Sequence, residues 1–94
     1  MKKYYLNPSK MVELARSLEG AELKVLLVII YCLNESNRDT FFNNIETRNK
    51  FSEFGLAKSP ERFSSILGAL TKKGILKREI NGVYSIKEDI LICP

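Results

Sequence analysis

The stretch SPERFSSILGALTKKGILKREINGVYSI, residues 59–86, holds a helix, its stop signal and a hairpin in direct succession. Ser59-Pro60 reads as an N-cap followed by proline at the first helical position, and Glu61 sits where the helix macrodipole favours a carboxylate. Phe63, Ile66, Leu67 and Leu70 recur on one helical face, and Gly74 closes the segment after Lys72-Lys73. Asn81-Gly82 suits a two-residue type I′ turn, whose central positions both take positive φ. Residues 75–80 and 83–86 are therefore expected to pair as antiparallel strands. Such a hairpin sets Ile80 opposite Val83 and Glu79 opposite Tyr84. With Tyr84 and Ile86 turned inward, Ile80 and Val83 are expected to be exposed at the tip, with Arg78 on their face.

Working back from this stretch, Thr47 is the expected N-cap of a short helix with Phe51 and Phe54 as its apolar positions and Gly55 as its left-handed end, where Leu56 packs back. Thr40-Phe41-Phe42 suits a very short strand after the polar loop 35–39. Residues 21–34, AELKVLLVIIYCLN, are apolar almost all round, which predicts a helix covered on several sides. Asn7-Pro8 opens a first helix with Met11, Leu14, Ala15 and Leu18 at helical spacing.

The chain of 94 residues has room for one domain. Its net charge of +4 is unevenly spread: residues 1–40 carry six basic and five acidic side chains, and residues 41–86 carry eight and four. An anionic partner is expected to meet the second half. Two cysteines, Cys32 and Cys93, make no disulfide framework, and the opening MKKYYLNPSK has no apolar region of a secretory signal, so a cytoplasmic protein is expected. The longest apolar run, VLLVIIYCL at 25–33, is too short for a bilayer span, and no membrane partner is expected.

Two short helices joined by a turn and followed by a hairpin make the winged helix-turn-helix plan, and residues 51–86 resemble that family. Gly55-Leu56 matches the turn after the first motif helix, Phe63 and Leu70 match the inward anchors of the recognition helix, and KKGIL at 72–76 matches the exit into the wing. The interval from Gly55 to Phe63 is longer than in the commonest form. ELKVLLVIIY at 22–31 together with KKGILKREINGVYSIKEDIL at 72–91 resembles plasmid replication proteins of the RepL type. Gly82, Tyr84 and Ile86 match that family's wing, while Lys87-Glu88 stands in place of its Asn-Pro.

The fold expected is α+β, mainly α: a winged helix-turn-helix with a short C-terminal β-hairpin wing. It forms a single domain over 1–94, with core and dimerisation helices in 1–36, the helix-turn-helix in 47–73, the wing in 75–86 and a tail in 87–94. The resemblance implies a double-stranded-DNA-binding protein of a plasmid, phage or other mobile element, acting in replication initiation or its control.

A helix of this kind offers its outward side chains to the major groove and its N-terminal N–H groups to phosphate. The outward set is Ser59, Glu61, Arg62, Ser65, Ala69 and Lys72, with Ser64 and Gly68 at the edge. Arg62 is the expected base reader, because a guanidinium bonds guanine O6 and N7 together and discriminates by about 1–3 kcal/mol. Ser64 and Ser65 suit bases or phosphates. Arg48, Lys50, Lys58, Lys77 and Arg78 suit phosphates, with Asn81 at the wing tip, and four such contacts give a log–log salt slope of about −4.

Simpler readings stand beside these. Lys72-Lys73 suits a helix C-terminus whatever the function, Lys77-Arg78 guards an edge strand, and Arg62 has Glu61 and Glu53 as alternative partners. The phenylalanines suit a core better than a base-stacking platform. With no histidine, no phosphate-binding loop and no nucleophile motif, an enzyme, a metal and a cofactor are not expected. A homodimer is expected, its surface drawn from the first helix, Tyr4-Tyr5-Leu6 and Ile90-Leu91-Ile92. The rival roles are an operator-binding repressor, a plasmid partition adaptor, and a winged helix that docks on a protein through Ile80, Val83 and the apolar tail.

Overall fold

A computed structural model describes residues 3–56, 59–80 and 82–92. Lys58 and Asn81, both expected at the interface, lie outside the described residues, as does Cys93. In chain order the elements are β1 (Tyr5–Leu6), α1 (Pro8–Ser17), α2 (Gly20–Ser36), β2 (Thr40–Phe42), α3 (Ile45–Glu53), α4 (Pro60–Lys72), β3 (Leu76–Ile80), β4 (Val83–Ile86) and β5 (Leu91–Ile92). This is the mainly helical α+β class that the sequence predicts. No described helix is long and apolar enough to cross a membrane.

Caps set most of the boundaries. Asn7 accepts from the Ser9 N–H at 3.1 Å ahead of Pro8, and Ser59 accepts from the Arg62 N–H at 3.1 Å ahead of Pro60. Gly55 and Gly74 take φ of 75° and 80° where α3 and α4 end, the left-handed region a side chain resists. The third helix corrects the expected start. Asn44, not Thr47, is its N-cap, accepting from the Thr47 N–H at 3.0 Å, so the helix opens at Ile45. Asn and Thr cap by the same chemistry, and the sequence offers both within one turn.

β2, β4 and β3 form one antiparallel sheet with β4 in the middle, and β1 pairs with β5 in a second. The hairpin register departs from the expected one. Ile80 does pair with Val83, but an extra residue follows, so Arg78 rather than Glu79 lies opposite Tyr84, and Leu76 lies opposite Ile86. Glu79 is the bulged residue. Arg78, Tyr84, Leu76 and Ile86 consequently share the face turned toward α4, whereas Lys77, Ser85 and Ile80 share the other. The Ser85 hydroxyl donates to Glu79 Oε1 at 2.7 Å on that outer side. Val83, expected to be exposed, is only 9% accessible because Phe42 of β2 flanks it on one side and Ile80 on the other. Ile80 itself is 69% exposed.

The core is one cluster drawn from every helix: Leu14 of the first with its C-cap Leu18, Val25, Leu26, Ile29 and Leu33 of the second, Phe51 of the third, and Phe63, Ile66, Leu67 and Leu70 of the fourth. Phe41, Leu76 and Ile86 join it from the sheet. Two expectations fail here. Met11 and Ala15 are exposed, and Phe54 is exposed beyond the end of its helix. The second helix is covered on several sides as expected, with Val25, Leu26, Ile29, Ile30 and Leu33 buried, while Leu27 and Tyr31 face solvent. Of the apolar ends expected to carry a dimer, Ile90 is buried and Tyr4, Leu6 and Leu91 pack on the core, while Tyr5 and Ile92 are exposed. Asn7 ties the ends together, its N–H donating to the Ile90 carbonyl at 2.8 Å and its Nδ2 to that of Asp89 at 3.0 Å.

One ion pair joins α2 to the end of α4. Lys73 Nζ donates to Glu22 Oε1 at 2.5 Å and to the Ser17 carbonyl at 2.9 Å, while Glu22 also accepts from the Glu19 N–H at 3.0 Å. Glu22 is buried, and the Lys73 hydrogen bond holds its carboxyl below the usual carboxylate range against the opposing effect of burial. A lowered folded-state pKa stabilises the fold above the ordinary carboxylate range, and this stabilisation is lost as pH falls through the folded value. Glu22→Gln is therefore expected to cost about 1–3 kcal/mol at neutral pH and to flatten the acid limb of the stability curve, read by urea titration across pH.

Candidate nucleic-acid interface

Burial fixes the rotation of α4. With Phe63, Ile66, Leu67 and Leu70 inward, and about 100° per residue, Glu61, Ser65, Gly68 and Lys72 lie opposite the core. Ser64 and Thr71 fall on one flank; Arg62, Ala69 and Lys73 fall on the other. Glu61, Arg62, Ser64, Ser65, Gly68 and Lys72 are exposed, and Ser59 is half-buried as the cap.

The Ser64 flank is tied to the sheet and to α3 by a residue the sequence did not single out. Asn43, between β2 and α3, donates from Nδ2 to Ser64 Oγ at 3.2 Å and accepts from Arg48 Nη1 at 3.4 Å. Its backbone N–H donates to the Gly82 carbonyl at 2.8 Å. One side chain and one amide thus hold together α3, α4 and the hairpin turn. The Asn43-Asn44 pair was the available signal, but only the helix-capping half of it is readable without knowing what β2 pairs with.

Next to Ser64 and Thr71 a groove runs between α4 and the hairpin, lined by Gly68, Ala69, Thr71, Lys72, Arg78 and Tyr84. Its floor is firm, because Tyr84 stacks on Phe41 with ring centroids 5.7 Å apart. Two cations, Lys72 and Arg78, look into a concave strip whose helical wall carries no side chain larger than threonine besides Lys72.

The other expected cations are distributed differently. Arg48 is half-buried and turned to Asn43. Lys50 lines a separate pocket of about 140 Å³ between α2, β2 and α3, with Cys32, Phe41 and Phe51. Burial pushes the Cys32 thiol up there, and Lys50 opposes that shift. Lys77 lies on the outer side of the hairpin among Glu79, Glu88 and Asp89. Arg62 is exposed on the flank nearest Glu22, whose ionised form it favours, and its guanidinium makes no hydrogen bond among the described residues. Lys73, adjacent to Lys72, is taken up by Glu22. The structure thus brings Ser64, Ser65, Lys72 and Arg78 to one side, with Glu61 and Arg62 at the helix start, and leaves Lys50 and Lys77 elsewhere.

Among the described residues no group of three or more His, Cys, Asp or Glu is placed to hold a metal ion. Comparisons with protein-family models, with curated proteins and with solved structures return no match.

Asn43→Ala removes two side-chain hydrogen bonds and keeps the backbone one, so a stability loss of about 0.5–1.5 kcal/mol is expected by denaturant unfolding. Ser65→Ala, on the same face but with no hydrogen-bonded partner among the described residues, is expected to stay within about 0.5 kcal/mol of the parent.

Proposed function

We propose that this chain is a winged helix-turn-helix protein that binds double-stranded DNA, with α4 as recognition helix and the β3–β4 hairpin as wing. The order α2, β2, α3, α4, hairpin and the strand order β2-β4-β3 support the plan. The groove shared by Lys72 and Arg78 is the observation that carries the DNA reading. A duplex backbone presents closely spaced phosphates, and a cationic strip walled by Gly68 and Ala69 lets one approach without a steric barrier.

In this reading Lys72 and Arg78 neutralise phosphates, Ser64 and Ser65 reach bases or phosphates, and Arg62 reads base edges from the flank of the helix start. Ser59 opens the helix, whose first N–H groups suit a phosphate. Glu61 penalises a close phosphate at the first turn and accepts from an exposed cytosine amino group instead. Lys50 and Lys77 take no part. The role we favour is replication initiation or its control on a plasmid, phage or other mobile element, carried by the RepL resemblance; an operator-binding repressor or a partition adaptor would use the same face. The protein acts by binding and not by catalysis.

A second reading has one observation behind it. Phe42 and Ile80, both exposed, flank Val83 on the outer side of the sheet, with exposed Ile45 following in sequence. This apolar cluster suits a protein contact.

Binding to a random duplex pool between 50 and 200 mM salt separates the two. Two phosphate-directed cations, Lys72 and Arg78, predict a log–log slope of about −1.8, and the Lys72→Ala/Arg78→Ala variant is expected to reduce it to about zero. Absence of duplex binding by the parent, or binding unchanged in the double variant, would sink the DNA reading.

A further inference from the structure

The side of α2 turned away from the core is not polar. Leu27 is 50% and Tyr31 47% exposed, and the patch extends to Phe54, 53% exposed, whose ring meets that of Tyr31 edge-on at 5.7 Å. At about 100° per residue, Lys24, Leu27, Tyr31 and Glu35 form one stripe within about a quarter-turn. The stripe therefore reads base, apolar, apolar, acid along the helix.

That order is self-complementary when reversed. Leu27 and Tyr31 are centred on position 29, and Lys24 and Glu35 are centred half a residue beyond, ~0.75 Å away along the axis. One two-fold axis thus sets Leu27 against Tyr31 of a second copy and Lys24 against its Glu35, each twice. The charges are also the wrong way round for a lone helix. Glu35 lies in the last turn of α2, where the macrodipole disfavours a carboxylate, and no basic residue shares that turn. Lys24 makes no side-chain hydrogen bond or ion pair among the described residues, while the Glu35 carboxylate beside the Tyr31 phenol raises that group's pKa above its ordinary value. Within the chain Glu35 has Lys3 and the Tyr31 phenol beside it, and an antiparallel partner adds Lys24, which thereby gains a counter-ion.

We propose that the Lys24–Leu27–Tyr31–Glu35 stripe of α2 docks on the same stripe of a second copy of this chain, antiparallel about a two-fold axis near position 29. The surface shares no residue with the α4 face, so the pairing stands independently of the DNA reading and leaves both α4 faces uncovered. One stripe and Phe54 make a contact smaller than the ~800 Å² per partner of a standard interface, so a reversible dimer is expected, with Kd on the order of 10–100 µM.

Sedimentation equilibrium of the full chain without DNA tests this. Lys24→Glu and Glu35→Lys are each expected to raise the dimer Kd about tenfold, because each sets like charges together twice, and the double exchange is expected to restore it to within about threefold of the parent. Tyr31→Ser is expected to abolish the dimer below about 1 mM. Both charge positions are exposed, and Glu35→Lys suits the helix end of an isolated chain, so unchanged helicity by circular dichroism separates lost pairing from lost folding. A parent that stays monomeric at about 1 mM, a dimer indifferent to the single variants, or a double exchange that fails to restore pairing overturns the proposal.

Discussion

Phe51 and Phe63, neither of them accessible to solvent, meet with ring centroids 4.8 Å apart, and this contact sets how α3 and α4 lie together. Everything outward follows from it. Once Phe63 is seated, Leu67 and Leu70 can only continue inward, and the serines, Gly68 and Lys72 are turned to solvent by helical geometry alone. Interiors pack like organic crystals, so a rotation of α4 that exposed a different face would open a void around two aromatic rings. The candidate interface is in this sense a by-product of core packing, chosen by the apolar residues rather than by those that would touch a ligand.

Much of this was legible in the sequence because caps and periodicity are local. Asn7-Pro8 and Ser59-Pro60 mark helix starts by chemistry completed within three residues, and Gly55 and Gly74 mark ends by a backbone conformation a side chain resists. What failed needed partners distant in the chain. Val83 is buried because β2 lies on it, and nothing in the hairpin encodes that neighbour. Thr47 and Asn44 are equivalent as caps until the turn before them is known. Leu27 and Tyr31 look like core in a run of apolar residues, and only the packing of the other elements around α2 shows them as surface.

The same separation applies to charge. Seven cations were expected on or near α4 or the wing, and sequence proximity proved a poor guide to which of them act together. Lys72 and Lys73 are neighbours, yet one faces the groove and the other is held by Glu22. Lys77 and Arg78 are neighbours on a strand, and alternation sends them to opposite sides. The functional reading therefore rests on two cations from different elements meeting across a groove and not on the summed charge of the region.

The extra residue at Glu79 has an effect on that groove out of proportion to its size. In an unbroken ladder the position opposite Tyr84 would belong to Glu79, and a carboxylate would look toward the helix in place of the guanidinium. The bulge thus reverses the polarity of the local field at fixed sequence. One sequence in two strand registers would present opposite potentials at this spot, so the direction of the hairpin's electrostatics is a property of pairing and not of charge content.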